Sequence, residues 1–140
     1  MNLPSPHTAR IDDAFWAGRR VFMTGHTGFK GSWLCLVLER LGADVAGYSL
    51  EPPSDPSLFE LANIEESLNH HHGDIRDLSN LSAAMHAHDP EIVIHMAAQA
   101  LVRPSYDDPV GTFATNIMGT VNVLEAARGL NNLQAIVNVT

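Results

Sequence analysis

Short apolar runs alternate along this chain with longer segments in which apolar residues recur every three or four positions. The first pattern is typical of buried strands and the second of amphipathic helices. The predicted strands are 21–24, 43–50, a polar one at 69–72, 91–97 and 135–139. The predicted helices are 28–41, 57–64, 78–88 and 108–129, after a short amphipathic turn at 12–16. This alternation predicts a parallel sheet with right-handed crossovers, the doubly wound α/β class.

Capping residues and prolines mark where several of these elements begin and end. Asp77 is a suitable N-cap for the helix at 78–88, and Asp89-Pro90 would end it. Pro109 suits the first turn of the helix at 108–129. We interpret residues 1–18 as an N-terminal lead-in and residues 19–140 as one dinucleotide-binding domain.

Three glycines lie between the first predicted strand and the first long helix, in the spacing G-x-x-G-x-x-G. In a dinucleotide-binding turn, Gly25 would allow a tight turn and Gly28 would let the backbone approach the phosphates. Gly31 would let the helix pack closely on its strand. Free N–H groups at the start of the helix attract anions. The context therefore predicts a pyrophosphate cradle, with a glycine-rich turn that binds no ligand as the alternative.

Three other residues of the same loop, Thr27, Phe29 and Lys30, are candidates for contact with the cofactor. Lys30 is the only lysine of the chain. It either offsets the charge of a bound phosphate group or is a solvated loop residue.

Composition limits the partners that we expect. The formal net charge is −8 and the basic residues are scattered, which argues against nucleic acid or an anionic membrane surface as a partner. No apolar run approaches the ~20 residues that a membrane-spanning helix needs, and the absence of an apolar segment in residues 1–10 leads us to expect no secretory signal there. Cys35 is the only cysteine, so an internal disulfide is impossible and a cytoplasmic location is expected. Its position favours a small buried residue.

The eight histidines do not predict a metal site. Neighbouring residues of a strand point to opposite faces, so His70, His71 and His72 cannot converge on one ion. His26 in the glycine loop is interpreted as a residue that shapes the loop. His95 ends a buried strand and is expected to be a hydrogen-bonded core group.

The glycine spacing resembles that of the extended short-chain dehydrogenase/reductase superfamily. Within it, three segments together resemble the CDP-glucose 4,6-dehydratase family: Thr-Gly-His-Thr-Gly-Phe-Lys-Gly-Ser-Trp-Leu at 24–34, Tyr-Ser-Leu-Glu-Pro-Pro at 48–53, and Gln-Ala-Leu-Val-Arg-Pro-Ser-Tyr at 99–106. The likeness runs from about residue 15 to residue 140. Ala100 and Pro104 depart from the family pattern. These two differences bear on the shape of the loop at 99–106 and not on the family resemblance.

The resemblance implies roles for further residues. Asp74, in Gly-Asp-Ile-Arg-Asp, would accept a hydrogen bond from the adenine amino group, with a purely structural turn as the alternative. Other positions expected around the cofactor are Ser49, Ile75, Ala97, Ala98, Gln99 and Asn116. Positions expected to orient the substrate are Arg103, Ser105 and Tyr106. For Arg103 a loop ion pair is the alternative.

The same resemblance implies an activity and a cofactor. Family members carry out an NAD-dependent internal redox cycle, in which a nucleotide hexose loses water to become a 4-keto-6-deoxy sugar. NAD is favoured over NADP because no arginine follows the second strand, where Glu51 lies two residues beyond Ser49. The alternatives are a nucleotide-sugar 4-epimerase, a dehydratase for another nucleobase, and a non-catalytic NAD-binding module.

The catalytic pair of the superfamily, Tyr-x-x-x-Lys, is absent from this sequence. Tyr48 is followed four residues later by Pro52, and Tyr106 by Val110. We therefore interpret the chain as the cofactor-binding half of a longer enzyme, with a sheet incomplete at its C-terminal side, and expect it to be inactive alone. The resemblance also implies a homodimer or larger assembly, in which the helix at 108–129 contributes to the interface.

Overall fold

Five parallel strands form the centre of the computed structural model, which describes residues 12–139. The strands are β1 (Arg20–Thr24), β2 (Asp44–Ser49), β3 (Asn69–His72), β4 (Ile92–His95) and β5 (Ala135–Asn138). Their order across the sheet is β3-β2-β1-β4-β5. The chain winds outward in one direction from β1 and in the other from β4, so a crevice opens between the ends of these two strands. The predicted doubly wound fold is confirmed.

Seven α-helices lie within the described residues; the first precedes β1 and the other six connect the strands. They are α1 (Asp13–Trp16), α2 (Phe29–Arg40), α3 (Leu58–Leu61), α4 (Leu78–His88), α5 (Val102–Asp107), α6 (Pro109–Phe113) and α7 (Gly119–Arg128). A 3-10 turn at Ile64–Glu66 follows α3, and a π-helical turn at Ala114–Met118 joins α6 to α7. The predicted helices are all present.

The structure also contains features that the pattern did not predict. Helix α5 has no apolar periodicity, and Pro104 lies within it. Proline is tolerated there because the first-turn N–H groups of a helix have no intrahelical partner. The predicted long helix at 108–129 has the expected extent, but the π-helical turn interrupts it.

Strand β4 ends two residues before the prediction, at His95 rather than at residue 97. The side-chain oxygen of Thr24 accepts hydrogen bonds from the backbone N–H groups of Met96 and Ala97, both at 3.2 Å. This hydroxyl therefore turns the chain out of the sheet.

Two hydrophobic cores cover the two faces of the sheet. One contains Phe22, Val93, Leu81 and Val123 and lies under α4 and α7. The other contains mainly residues of alternate strand positions and of α2, among them Val21, Met23, Cys35 and Leu38. Because helices cover both faces, the central strands read as continuous apolar runs rather than as alternating ones.

Cys35 is buried in the second core, as predicted, and burial raises the pKa of its thiol to about 12. The thiol is therefore held in its neutral form and acts as a small apolar group.

Side-chain caps confirm the predicted starts of two helices. An oxygen of Asp77 accepts a hydrogen bond from the backbone N–H of Asn80 at 3.1 Å. Asp108 does the same for Gly111 at 2.9 Å, with Pro109 in the first turn of α6. No helix within residues 12–139 is both long enough and apolar enough to cross a membrane.

Gly31 packs α2 against the glycine loop, and we expect Gly31→Ala to destabilise the fold. A Cβ atom at this position would lie 2.2 Å from the carbonyl oxygen of Gly25 and 2.8 Å from the Cα of His26. Both are backbone atoms, so the helix must shift, at a cost of about 2 kcal/mol in the free energy of unfolding. Urea denaturation measures this cost.

Gly28→Ala is the matched control for this substitution. A Cβ atom there meets only the carbonyl oxygen of Gly25, at 3.4 Å. We expect a loss below about 1 kcal/mol. Equal losses for the two variants would contradict the packing argument.

Candidate cofactor-binding site

The glycine loop follows β1 and turns sharply at Gly25, whose φ of 78° lies in the left-handed region. A Cβ atom on Gly25 would lie 2.7 Å from the backbone nitrogen of Ala97, in the loop after β4. The two loops are therefore in direct backbone contact at the crevice. The hydroxyl of Ser32 donates to the carbonyl of His26 at 3.0 Å, which fastens the loop to the first turn of α2.

The outer side of the loop is open. The only atom near a Cβ built on Gly28 is the carbonyl oxygen of Gly25, so nothing occupies the space beyond Gly28 among the described residues. Phe29 and Lys30 are exposed in the first turn of α2, where the backbone N–H groups have no intrahelical partner. The loop thus presents N–H donors and one cation towards open space, which suits a phosphate group.

Thr27 and Ser49 join the glycine loop to the end of β2. Their hydroxyl oxygens are 2.8 Å apart, and the Thr27 hydroxyl lies 2.9 Å from the carbonyl oxygen of Leu50. Both side chains are buried. The structure therefore brings together two predicted cofactor residues that are separated by 22 positions in the chain.

Asp74 follows β3 and binds Arg76 through its carboxylate. The Arg76 Nε lies 2.9 Å from one carboxylate oxygen, and the Arg76 backbone N–H donates to the other at 2.8 Å. These hydrogen bonds hold the pKa of the Asp74 carboxyl below its ordinary value. Asp74 is therefore an ionised, acceptor-only group at the edge of the crevice, as an amino group would require.

Ile75 and the backbone around it are anchored to α7. The amide nitrogen of Asn122 donates to the carbonyl of Ile75 at 2.9 Å and to that of Arg76 at 3.1 Å. Asn122 was not predicted from the sequence as a site residue. Its signal is weak because a polar residue on an amphipathic helix ordinarily faces water.

Ala97, Ala98 and Gln99 form the loop after β4, and Asn116 holds this loop from the π-helical turn. The Asn116 side chain accepts from the Gln99 backbone N–H at 2.8 Å and donates to the Gln99 carbonyl at 3.0 Å. Gln99 closes the next turn through its own amide, which accepts from the Leu101 N–H at 2.7 Å. All four predicted residues therefore lie at the β1–β4 crevice.

The three residues that we expected to orient the substrate all lie on α5. Arg103 and Tyr106 are exposed and three positions apart, so they share one side of this helix. Arg103 forms no ion pair with another residue of the described range 12–139, so the alternative of a loop ion pair is not supported. Ser105 donates its hydroxyl proton to the carbonyl of Val102 within the helix.

Behind the glycine loop, the buried His26 pairs with the half-buried His70. The His26 Nε2 and the His70 Nδ1 are 2.7 Å apart, and the ring of Phe59 packs edge-on against His26. The Nδ1 of His26 has no hydrogen-bond partner among the described residues. Burial, with the nearby rings of His70 and His71, lowers the pKa of His26 to about 3. The neutral ring fills the space beside Gly47 and supports the loop, as interpreted from the sequence.

The three consecutive histidines of β3 do not converge. His70 contacts His26, whereas His72 lies 3.5 Å from a carboxylate oxygen of Glu51. Between residues 12 and 139, no three His, Cys, Asp or Glu side chains are grouped so that they could hold a metal ion.

The sequence matches the family model described as GDP-mannose 4,6 dehydratase over residues 22–139. The chain therefore belongs to this family of nucleotide-sugar enzymes, with a doubly wound, Rossmann-like sheet.

Two curated relatives show the resemblance at the level of individual proteins. The chain is 53% identical to the CDP-glucose 4,6-dehydratase of Salmonella typhimurium over 93% of its own length and 36% of that protein. It is 32% identical to a UDP-glucose 4-epimerase of Rhizobium leguminosarum bv. trifolii, over 82% of this chain and 34% of the relative. The chain thus spans about a third of the length of these two curated relatives.

A solved structure agrees with the fold. The UDP-glucose-4-epimerase of Stenotrophomonas maltophila, with bound NAD and formylated UDP-arabinopyranose, superimposes with a TM-score of 0.74 at 30% identity. The match covers 86% of this chain and 36% of the epimerase.

The His26–His70 pair predicts that the fold loses stability in mild acid. The ring of His26 has an ordinary pKa of 6.5 and a pKa of about 3 when folded. Between these values only the unfolded chain takes up the proton, so stability is full above pH 6.5 and falls as the pH drops towards 3. We expect the titration of His26 to lower the free energy of unfolding by about 2 kcal/mol between pH 7 and pH 5.

Urea denaturation at the two pH values measures this loss. His26→Gln keeps a polar group near the Nε2 position but does not titrate, so it is the matched variant. Its loss between pH 7 and pH 5 should be smaller by about 2 kcal/mol. The same loss in both proteins would place the acid sensitivity elsewhere.

Proposed function

We propose that this chain forms the cofactor-binding part of an NAD-dependent CDP-glucose 4,6-dehydratase, which converts CDP-glucose to CDP-4-keto-6-deoxyglucose. The observation that carries the proposal is the 53% identity to a CDP-glucose 4,6-dehydratase across 93% of this chain. Identity to the epimerase relative is 32%. The dehydratase is therefore favoured over other reactions that the same fold supports.

The residues of the crevice suit a dinucleotide. The open side of the glycine loop at Gly28 and the first turn of α2 would receive the pyrophosphate, with Lys30 beside it. Asp74, ionised and held by Arg76, would accept from the adenine amino group. Other residues proposed to hold the cofactor are Gly25, Thr27, Phe29, Gly31, Ser49, Ile75, Ala97, Ala98, Gln99 and Asn116. NAD is proposed rather than NADP because no basic side chain follows β2.

When bound, NAD supplies a hydride acceptor and donor for the sugar. The chain's own task is then to hold both molecules in place. The clasp between Asn116 and Gln99 keeps the loop after β4 against Gly25, so the floor of the crevice is rigid before a ligand arrives. Such preorganisation lowers the cost of bringing two reactants together.

Helix α5 follows this loop, and we propose that Arg103, Ser105 and Tyr106 orient the nucleotide sugar. Arg103 and Tyr106 both expose their side chains on α5, which begins three residues after Gln99. A guanidinium binds phosphate oxygens well, and a tyrosine can contact both a ring and a hydroxyl group. The sequence holds no Tyr-x-x-x-Lys pair. We therefore propose that the proton-transferring base comes from residues outside this sequence.

An epimerase is the second candidate for the reaction. The UDP-glucose 4-epimerase relative and the NAD-bound epimerase structure favour it, because both share the fold at 30% identity or more. The glycine loop and Asp74 serve both reactions equally, so only the sugar end of the site separates them. A non-catalytic NAD-binding module is the third candidate.

A homodimer or larger assembly is proposed through the outer side of α6 and α7. Four large apolar side chains are exposed at intervals of three or four residues along α6, the π-helical turn and α7: Phe113, Ile117, Val121 and Leu124. The opposite side of α7 is buried in the core through Val123, Ala126 and Ala127. An exposed apolar stripe of this kind is typical of a protein interface.

The reaction is tested with the protein expressed from its complete gene, supplied with NAD and one nucleotide sugar at a time. We expect a 4-keto-6-deoxy product from CDP-glucose and a lower kcat/KM with UDP-glucose and GDP-mannose. Interconversion of glucose and galactose at C4 without loss of water would favour the epimerase. NAD binding with no conversion of any sugar would favour the non-catalytic module.

Lys30 should strengthen NAD binding through its charge. We expect Lys30→Met to weaken NAD binding about five- to tenfold, equivalent to about 1–1.4 kcal/mol, because a charge-assisted contact with the pyrophosphate is lost. Calorimetric titration measures the affinity. The matched control is Arg40→Met, at the opposite end of α2, with an expected change below about twofold.

Equal weakening by both substitutions would indicate a general effect of net charge. No change in either variant would make Lys30 a solvated loop residue.

A further inference from the structure

A chain of hydrogen bonds crosses the floor of the crevice and passes through His95. The Thr24 hydroxyl oxygen lies 2.7 Å from the His95 Nδ1, and the His95 Nε2 lies 2.9 Å from the hydroxyl oxygen of Thr120. The Thr120 hydroxyl lies 2.8 Å from the carbonyl oxygen of Asn116. These contacts join the end of β1, the end of β4 and the π-helical turn.

The donors and acceptors at Thr24 allow only one direction. A hydroxyl group donates one hydrogen bond and accepts two. The backbone N–H of Ala97 donates to the Thr24 hydroxyl oxygen, and that of Met96 is shared between this oxygen and the Thr24 backbone carbonyl, so the acceptor positions of the hydroxyl are occupied. The hydroxyl proton must then be donated to the Nδ1 of His95, which is therefore unprotonated.

The other end of the chain independently requires the same direction. A carbonyl oxygen only accepts, so the Thr120 hydroxyl donates its proton to the carbonyl of Asn116. Thr120 must then accept from the Nε2–H of His95. Both ends thus place the single imidazole proton on Nε2. Burial of His95, which lowers the pKa of its ring, agrees with the neutral form.

The final link holds the π-helical turn in shape. A threonine hydroxyl that bonds to the carbonyl four residues earlier bends a helix, and here that carbonyl belongs to Asn116. The Asn116 side chain holds both backbone groups of Gln99. The position of this clasp relative to the glycine loop therefore depends on the span from Thr24 to Thr120.

We infer that His95 is a positioning residue: as the neutral tautomer protonated on Nε2, it links Thr24 to Thr120 and thereby holds the Asn116–Gln99 clasp in register with the glycine loop. The inference about the hydrogen-bond chain stands on the geometry alone. Its consequence for catalysis rests on the proposed function.

Histidine ring NMR on the 15N-labelled protein tests the direction of the chain. We expect the His95 Nδ1 to resonate as an unprotonated nitrogen and the Nε2 as a protonated one, with the signals assigned by their loss in His95→Gln. A proton on Nδ1, or a doubly protonated ring at pH 7, would overturn the inference.

Thr120→Val and Thr120→Ser test the positioning role. Valine has the shape of threonine without the hydroxyl, whereas serine keeps the hydroxyl. In Thr120→Val we expect the side-chain amide protons of Asn116 to exchange with solvent about tenfold faster, and in Thr120→Ser to remain within twofold of the wild type. Unfolding midpoints for each variant confirm that it is folded. Exchange that is equal in all three proteins contradicts the role of His95 through Thr120.

Kinetics on the protein expressed from its complete gene test the catalytic consequence. Thr120→Val should lower kcat about tenfold with the affinity for NAD changed less than threefold, and Thr120→Ser should restore kcat. Unchanged kcat in Thr120→Val overturns the positioning role. If the wild-type protein converts no sugar, the proposed function fails, and the NMR and amide exchange measurements still decide the role of His95.

Discussion

Direct backbone contact between the glycine loop and the loop after β4 is the constraint on which the rest of the site depends. The position of a Cβ on Gly25 coincides with backbone atoms of Met96 and Ala97, and that of a Cβ on Gly31 with the carbonyl of Gly25. A side chain at either position would separate the loops. Their contact places the open side of the loop, the start of α2 and the clasp around Gln99 along one crevice, so a single ligand can touch all three.

Hydrogen bonding then gives this crevice a rigid polar floor. Thr24 and His95 are completely or almost completely buried at the ends of adjacent strands, where an unpaired polar group would cost about 1–3 kcal/mol. Thr24 and His95 form a hydrogen bond with each other. Thr24 also accepts from the N–H of Ala97 in the loop after β4, and His95 also bonds to Thr120 of α7. The side chains that hold the crevice therefore form one network, whereas the residues proposed to touch ligands, such as Lys30 and Arg103, remain exposed.

Sequence patterns predicted the elements well where periodicity and capping agree. The helix after Asp77 and even the polar strand at 69–72 were placed correctly, and the strand predicted at 91–97 is present at 92–95, because strand–helix alternation left few other arrangements. Prediction failed where a distant partner decides the backbone. The early end of β4 depends on the Thr24 hydroxyl, which lies 73 positions before Ala97 in the chain. The π-helical turn accompanies a local bond from Thr120 to the carbonyl of Asn116, but Thr120 is itself held by His95, 25 positions away.

The sequence by itself determined the fold class and the position of the glycine loop between β1 and α2, because glycine spacing and hydrophobic period are local properties of the chain. It also indicated the family, through three short segments. Only the tertiary structure decided which polar groups meet: His26 with His70, Thr27 with Ser49, and Thr24 with His95. Such pairs depend on strand order and register, which bring residues far apart in the chain within hydrogen-bonding distance. The sequence around each residue does not show which distant residue will lie next to it in the fold.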